Sequence, residues 1–397
     1  MKSDTTKNDF LDIELIKQFR QEINKDNNVF INDIDLKEKY DLICVFLDRM
    51  TTAVEYLNNQ NIPFEAETDF TNFMVYACIV FDGINKLSEN FFQKKPDLIE
   101  RKELSKSANV YGKPFFNEDN CPTDYKFFEF LRALTFAHPY EVDNRQRKFM
   151  DNNEIYRSPW VICRSHFDDK YNVGVRIYSN KQGKLIDLTV PFDELKAFIV
   201  EVYSNLSNYT KWAEDEITHR ESKWKEQKVN RNQDSILILK DISNILKNRF
   251  VETYSIDLAI SYLTCNVTNV KNENSINLFR KAIISKISVI CDCVEVLDYE
   301  SMEDALSILS DTPRKMHDSA HYELEKIYTY LDEKSEKVDL YSNEAWGLIQ
   351  AKNFAAGFAK KWVTIDVDNM DYSEIKLLVA TACYLEKEAQ EKGEVLQ

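Results

Sequence analysis

Glycine is scarce in this 397-residue chain. There are seven, about 2% of the sequence against an average near 7%, so folds built on many tight turns are disfavoured. The seven are too dispersed to write GxxxxGK[ST] or GxGxxG, and P-loop and dinucleotide-binding readings fall away with those loops. No CxxC, GxSxG or HExxH occurs, which removes the common zinc, serine-hydrolase and metalloprotease signatures. The acids Asp366, Asp368 and Asp371 lack the glycine that an EF-hand loop needs. Long apolar runs are missing as well. The longest spans 73–81, too short for a membrane span, and the N-terminus carries acids where a signal peptide would be apolar. A cytoplasmic chain with reduced thiols at its eight cysteines is expected. Basic residues are outnumbered, 51 Lys and Arg against 67 Asp and Glu for a net charge of −16. That balance opposes indiscriminate binding to nucleic acid or anionic membrane and leaves only a local basic site open.

What is present is the composition of a folded chain: 44% apolar, 12% aromatic and 30% charged residues. Leu11, Leu15, Phe19 and Ile23 recur at helical spacing, and a helix is predicted from Asp35, capped with Glu38, to about Leu57. A further helix from about Thr68 contains FMVYACIVF, apolar all round and so suited to the centre of a bundle. Another runs from about Thr123 to Ala137, with Phe127, Phe130, Leu131 and Leu134 on one stripe and Pro139 forcing its end. The period then changes to two. PWVICRSHF, VGVRIYSN and KLIDLTV read as a three-stranded antiparallel meander, and helical patterning returns from Pro191 to the C-terminus. The predicted fold is mainly α: an antiparallel helical bundle with a small antiparallel β-meander insertion, followed by a second all-α domain. The expected divisions are a polar segment and short helix at 1–34, the bundle at 35–228 with the insertion at about 158–190, and an all-helical domain at 229–397.

The segment FFEFLRALTFAHPYEV carries the most chemistry. Arg132 and His138 stand at the end of an apolar helix with five residues between them and a proline directly after. The segment resembles the HEPN superfamily, whose ribonuclease members carry Arg, four to six residues, then His on a helix of a small antiparallel bundle. Similar Arg…Ala-His-Pro endings occur in proteins of prokaryotic defence and abortive infection. Over about residues 36–222 the resemblance implies catalytic roles for Arg132 and His138, metal-independent endoribonuclease activity with no cofactor, an RNA substrate, and a homodimer or protein partner. The chemistry is self-sufficient, since RNA supplies its own 2′-hydroxyl nucleophile, an imidazole moves protons near neutral pH and a guanidinium holds a phosphorane. From Arg132 to Asp187 there are ten Lys or Arg and seven Asp or Glu. Arg145, Arg147, Lys148 and Arg164 are therefore expected to position an RNA backbone, with Tyr140 and Trp160 stacking on bases.

Other readings stand beside this one. Ala133 occupies a position commonly polar in active HEPN nucleases, which points to a non-catalytic helical adaptor that binds a protein partner. His138 then becomes a core histidine extending the aromatic stripe. On a regular helix Arg132 and His138 lie about 120° apart, so they meet only if the helix unwinds. A second pair, in PRKMHDSAH, is expected to put Arg314, His317 and His321 on one helix face, where a solvated helix start after Pro313 is the plainer account. His166, near Asp168 and Asp169, has no further metal ligands within reach in sequence, and no metal site is predicted.

Overall fold

A computed structural model describes residues 10–25, 27–92, 100–143, 147, 149–150, 153–165, 171–181, 185–331 and 342–393, with the backbone alone at 27, 164 and 165. The chain divides into two compact units, Met1–Ile217 and Thr218–Gln397. The fold is mainly helical with a small antiparallel sheet, and no helix among the described residues is long and apolar enough to cross a membrane.

Unit one opens with α1 (Ile13–Lys25), α2 (Asn27–Asn32) and α3 (Ile34–Asn58). The first helix belongs to the core of this unit. Asn58 on α3 exchanges two hydrogen bonds of 2.8 Å with the backbone of Leu11, and Phe19 meets Phe46 edge-on at 6.0 Å. The cap of α3 differs from the predicted Asp35–Glu38 box. Asp33, in extended backbone, accepts from the amide of Asp35 at 2.9 Å, so Asp35 already lies in the first turn.

The all-round apolar stretch forms α4 (Glu67–Phe92), with Phe73, Met74, Ala77, Val80, Phe81 and Ile84 buried. Except for Ala77, each of these side chains contributes about 1.5–3 kcal/mol of burial. At Gly83 an added Cβ would sit 3.1 Å from Phe46 and Met50, so the glycine lets α3 approach closely. After α5 (Glu103–Ser107), β1 (Asn109–Val110) and β2 (Lys113–Pro114), the aromatic helix α6 (Asp124–Arg132) begins at Thr123, whose hydroxyl caps it. Asp124 is fully buried. It accepts from the amides of Leu104 and Ser105 at 3.1 and 2.7 Å and pairs with the Arg101 guanidinium.

The meander is present as β4 (Ile155–Ser165), β5 (Tyr171–Ser179) and β6 (Leu185–Pro191). With β3 (Val142–Asp143) it forms a six-stranded antiparallel sheet in the order β2-β1-β6-β5-β4-β3. Two-residue strands carry no readable period, so β1, β2 and β3 are additions to the predicted meander. Gly174 sits where β5 and β6 press together, and a Cβ there would lie 2.1 Å from the Leu188 carbonyl oxygen. The chain returns through α7 (Phe192–Ser204) and α8 (Leu206–Glu226), and the division between the units falls within α8.

Unit two comprises α9 (Ser235–Asn248), α10 (Tyr254–Thr264), α11 (Glu273–Val296), α12 (Tyr299–Leu306), α13 (Ala320–Tyr330), α14 (Asn343–Gly357) and α15 (Tyr372–Glu391). Buried Ile242, Phe279, Ile290 and Leu378 are part of one apolar core. Arg249 closes α9 and is itself buried. Its guanidinium donates to the carbonyls of Val294 in α11 and Trp224 in α8, each at 2.7 Å. Helix C-termini leave carbonyls without intrahelical partners, and here one side chain serves two of them.

Candidate functional site

The predicted site residues Arg132 and His138 lie at the broken end of α6. Beyond Arg132 the chain widens into a π turn over Ala133–Ala137, in which the amide of His138 donates to the Ala133 carbonyl at 2.8 Å. Proline after His138 disfavours helical backbone at the histidine, which adopts φ −141° and ψ 51°. The Pro139 carbonyl accepts from the amide of Ser158 at 2.7 Å, tying this end to β4. Phe127, Phe130, Leu131 and Leu134 are buried, whereas His138 is exposed. The core-histidine reading is thereby corrected: the π turn and Pro139 carry the imidazole off the apolar stripe.

Arg132 turns toward α4. Its Nη1 lies 2.9 Å from the Asp82 carboxylate, and no hydrogen bond joins it to His138 among the described residues. Burial pushes the Asp82 carboxyl above its ordinary value, and the guanidinium offsets only part of that shift. One turn earlier, burial pushes the Cys78 thiol up to about 12.

Beside this helix end is an open cleft of about 530 Å³ lined by Thr135, Pro139, Tyr140, Arg157, Trp160 and Tyr178, among others. The two predicted stacking residues therefore share one surface. Tyr140 is 86% exposed and Trp160 41% exposed. Trp160, Arg176 and Asp187 stand opposite one another across β4, β5 and β6. The Arg176 guanidinium lies 5.0 Å from the Trp160 ring centroid and is held by both Asp187 oxygens, Nη2 at 2.6 Å. Cation–π contact and a bidentate pair together fix the indole.

Arg157, Arg176 and Tyr178 did not emerge from the sequence reading. The signal was available for two of them: Val173, Val175 and Ile177 alternate inward, which puts Arg176 and Tyr178 on the opposite face.

The basic residues are more engaged than their numbers suggest. Arg157 approaches Glu141 at 3.6 Å. Arg147 donates to the Asp143 carbonyl at 3.1 Å, and burial pushes its guanidinium below the usual value. Arg164 lies in β4 opposite Asn172, while Arg145, Lys148 and His166 lie outside the described residues.

The second Arg/His group does not share a helix face. Helix α13 starts at Ala320, so Arg314 and His317 precede it. A bend at Arg314 and Lys315 and two turn residues, Asp318 and Ser319, interrupt the periodicity on which the expectation rested. His317 Nε2 lies 2.8 Å from Glu323, which also accepts from Ser319 at 2.8 Å. Arg314 and His321 are exposed. Among the described residues no three His, Cys, Asp or Glu side chains are placed to hold a metal ion, and the eight cysteines are free thiols.

No family model matches the chain, and no curated protein or solved structure matches it either.

Proposed function

We propose that unit one is an HEPN-like, metal-independent endoribonuclease of prokaryotic defence or toxin type, acting in the cytoplasm as a homodimer or with a protein partner. One observation carries the reading. The exposed His138 leads directly through Pro139 and Tyr140 into a cleft where Trp160 is pinned for stacking. Tyr140 and Trp160 receive bases of a single strand, an interaction worth about 1–3 kcal/mol per base. His138 takes the proton from the RNA 2′-hydroxyl. The oxygen–phosphorus bond forms, Arg132 leaves Asp82 to stabilise the phosphorane, and the bond to the 5′-oxygen breaks with proton return to that oxygen. The test is cleavage of single-stranded RNA without divalent metal by the wild type, Arg132→Ala and His138→Ala. Loss by about 10²–10⁴ in the histidine variant supports the assignment, and equal activity in all three removes it. In an infected host, protection against phage that survives His138→Ala counts against a nuclease role.

A second reading is a non-catalytic interaction or adaptor protein. It is favoured by the pairing of Arg132 with Asp82, Arg157 with Glu141 and Arg176 with Asp187. Guanidiniums already matched by carboxylates offer little net attraction to a phosphate backbone.

A further inference from the structure

A second cavity, of about 600 Å³, lies in unit one and is independent of the cleft beside His138. Phe115, Phe116, Phe149, Tyr156 and Tyr111 wall it, and Glu154 contributes a carboxylate. Phe115 and Phe116 meet at 4.7 Å, and Phe116 and Phe149 stand nearly perpendicular at 5.6 Å.

Glu154 is only 4% exposed. Ser179 Oγ donates to one of its oxygens at 2.7 Å, and among the described residues no Lys, Arg or His lies within ion-pair distance of it. Burial of a carboxylate is costly unless its oxygens are partnered. Two left-handed, non-glycine residues border the same space. Tyr111, φ 51°, precedes Gly112 in the two-residue turn between β1 and β2, and Asn153, φ 60°, directly precedes Glu154. The second conformation is clamped by Asn180, which donates to the Asn153 carbonyl at 3.0 Å and accepts from the Ile155 amide at 2.8 Å. Positive φ at Tyr111 is what the two-residue turn requires, and asparagine tolerates it at Asn153.

We propose that this cavity binds a small organic cation, a primary or alkylated ammonium on a short carbon body. The ring faces attract the cationic head, and Glu154 neutralises it. The complex pairs the Glu154 carboxylate with a cation, which a neutral ligand of the same shape does not do.

The test is calorimetric titration of the full chain with tetramethylammonium, choline and propylamine, and with 3,3-dimethylbutan-1-ol as the neutral shape-match of choline. Binding of at least one cation, with choline or its analogues at least about tenfold tighter than the neutral alcohol, is expected. Glu154→Gln is expected to weaken cation binding about tenfold or more, the scale of one charge-assisted contact, while leaving the alcohol unaffected. Failure of all three cations to bind at millimolar concentration overturns the proposal. So does equal binding of choline and the alcohol, or wild-type affinity in a folded Glu154→Gln chain. Should that variant fail to fold, the comparison of choline with the alcohol in the wild type decides alone.

Discussion

Arg132 on α6 and Asp82 on α4 form an ion pair at 2.9 Å, with the guanidinium that the ribonuclease reading assigns to phosphate gripping a carboxylate instead. Both side chains are partly exposed, so solvent screens the pair and its worth is about 0.2–1 kcal/mol. In the ribonuclease reading the competitor is the doubly charged phosphorane, which attracts the guanidinium more strongly than the singly charged phosphodiester does. The pair therefore reads as a latch.

Removing the latch has a signed consequence. In Asp82→Asn, Arg132 is released and single-turnover RNA cleavage is expected to rise by about two- to fivefold, the most that a pair of this strength withholds. Stability at pH 7 is expected to change little or to rise slightly. Because the folded-state value of Asp82 is raised, its contribution is fully present below the unfolded carboxyl value and is lost as pH rises through the folded one. The asparagine variant removes that loss. Quench-flow cleavage and urea titrations check both parts; an unchanged cleavage rate favours the adaptor reading.

Asp124 is expected to be far less tolerant. Asp124→Ala strips two backbone amides of their acceptor and leaves Arg101, whose Nε is also 2.6 Å from Glu201, partly uncompensated. Breaking a buried pair in this way costs about 3–5 kcal/mol. Denaturant unfolding monitored by tryptophan fluorescence measures it, and a loss below about 1 kcal/mol would contradict the buried network.

Gly174→Ala addresses the sheet. The new methyl meets backbone, not a side-chain tip, so β5 and β6 must separate. The expected cost is about 2–4 kcal/mol, read as a lowered melting temperature with loss of amide protection along β6. Gly112→Ala isolates a different cause: nothing lies within 4 Å of its would-be Cβ, but its φ of 76° strains any alanine there.

The thiols give a pH prediction. Burial pushes Cys78 and Cys383 up to about 12, so at pH 8 about one molecule in ten thousand carries either thiolate. Iodoacetamide pulse-labelling followed by mass spectrometry is expected to spare both until denaturant is added. Raised folded-state values also mean that the stability they contribute is present below about pH 9 and declines as pH climbs toward 12.

Local chemistry was legible in the residues, and long-range pairing was not. The helix start near Thr123, its end at Pro139 and the period-two alternation of β4, β5 and β6 were local signals. Tyr140 and Trp160, expected by type to stack on bases, share one cleft. The partner of Arg132 was hidden because Asp82 lies fifty positions away, and no periodicity links the two. His138 was read both as a catalytic residue and as an extension of the buried stripe, and the π turn that takes it off the stripe is absent from a helical wheel of 3.6 residues. The group Arg314, His317 and His321 was misplaced because a face was projected through a turn.

The row Trp160, Arg176 and Asp187 makes the indole one-sided. With one face occupied by a guanidinium that is itself anchored, the indole has a single side left for a flat guest, and its exposed part lies in the cleft. The guanidinium draws the π density of the indole toward itself, so the remaining surface is less electron-rich than that of an unpaired tryptophan, and a second cation gains least from it.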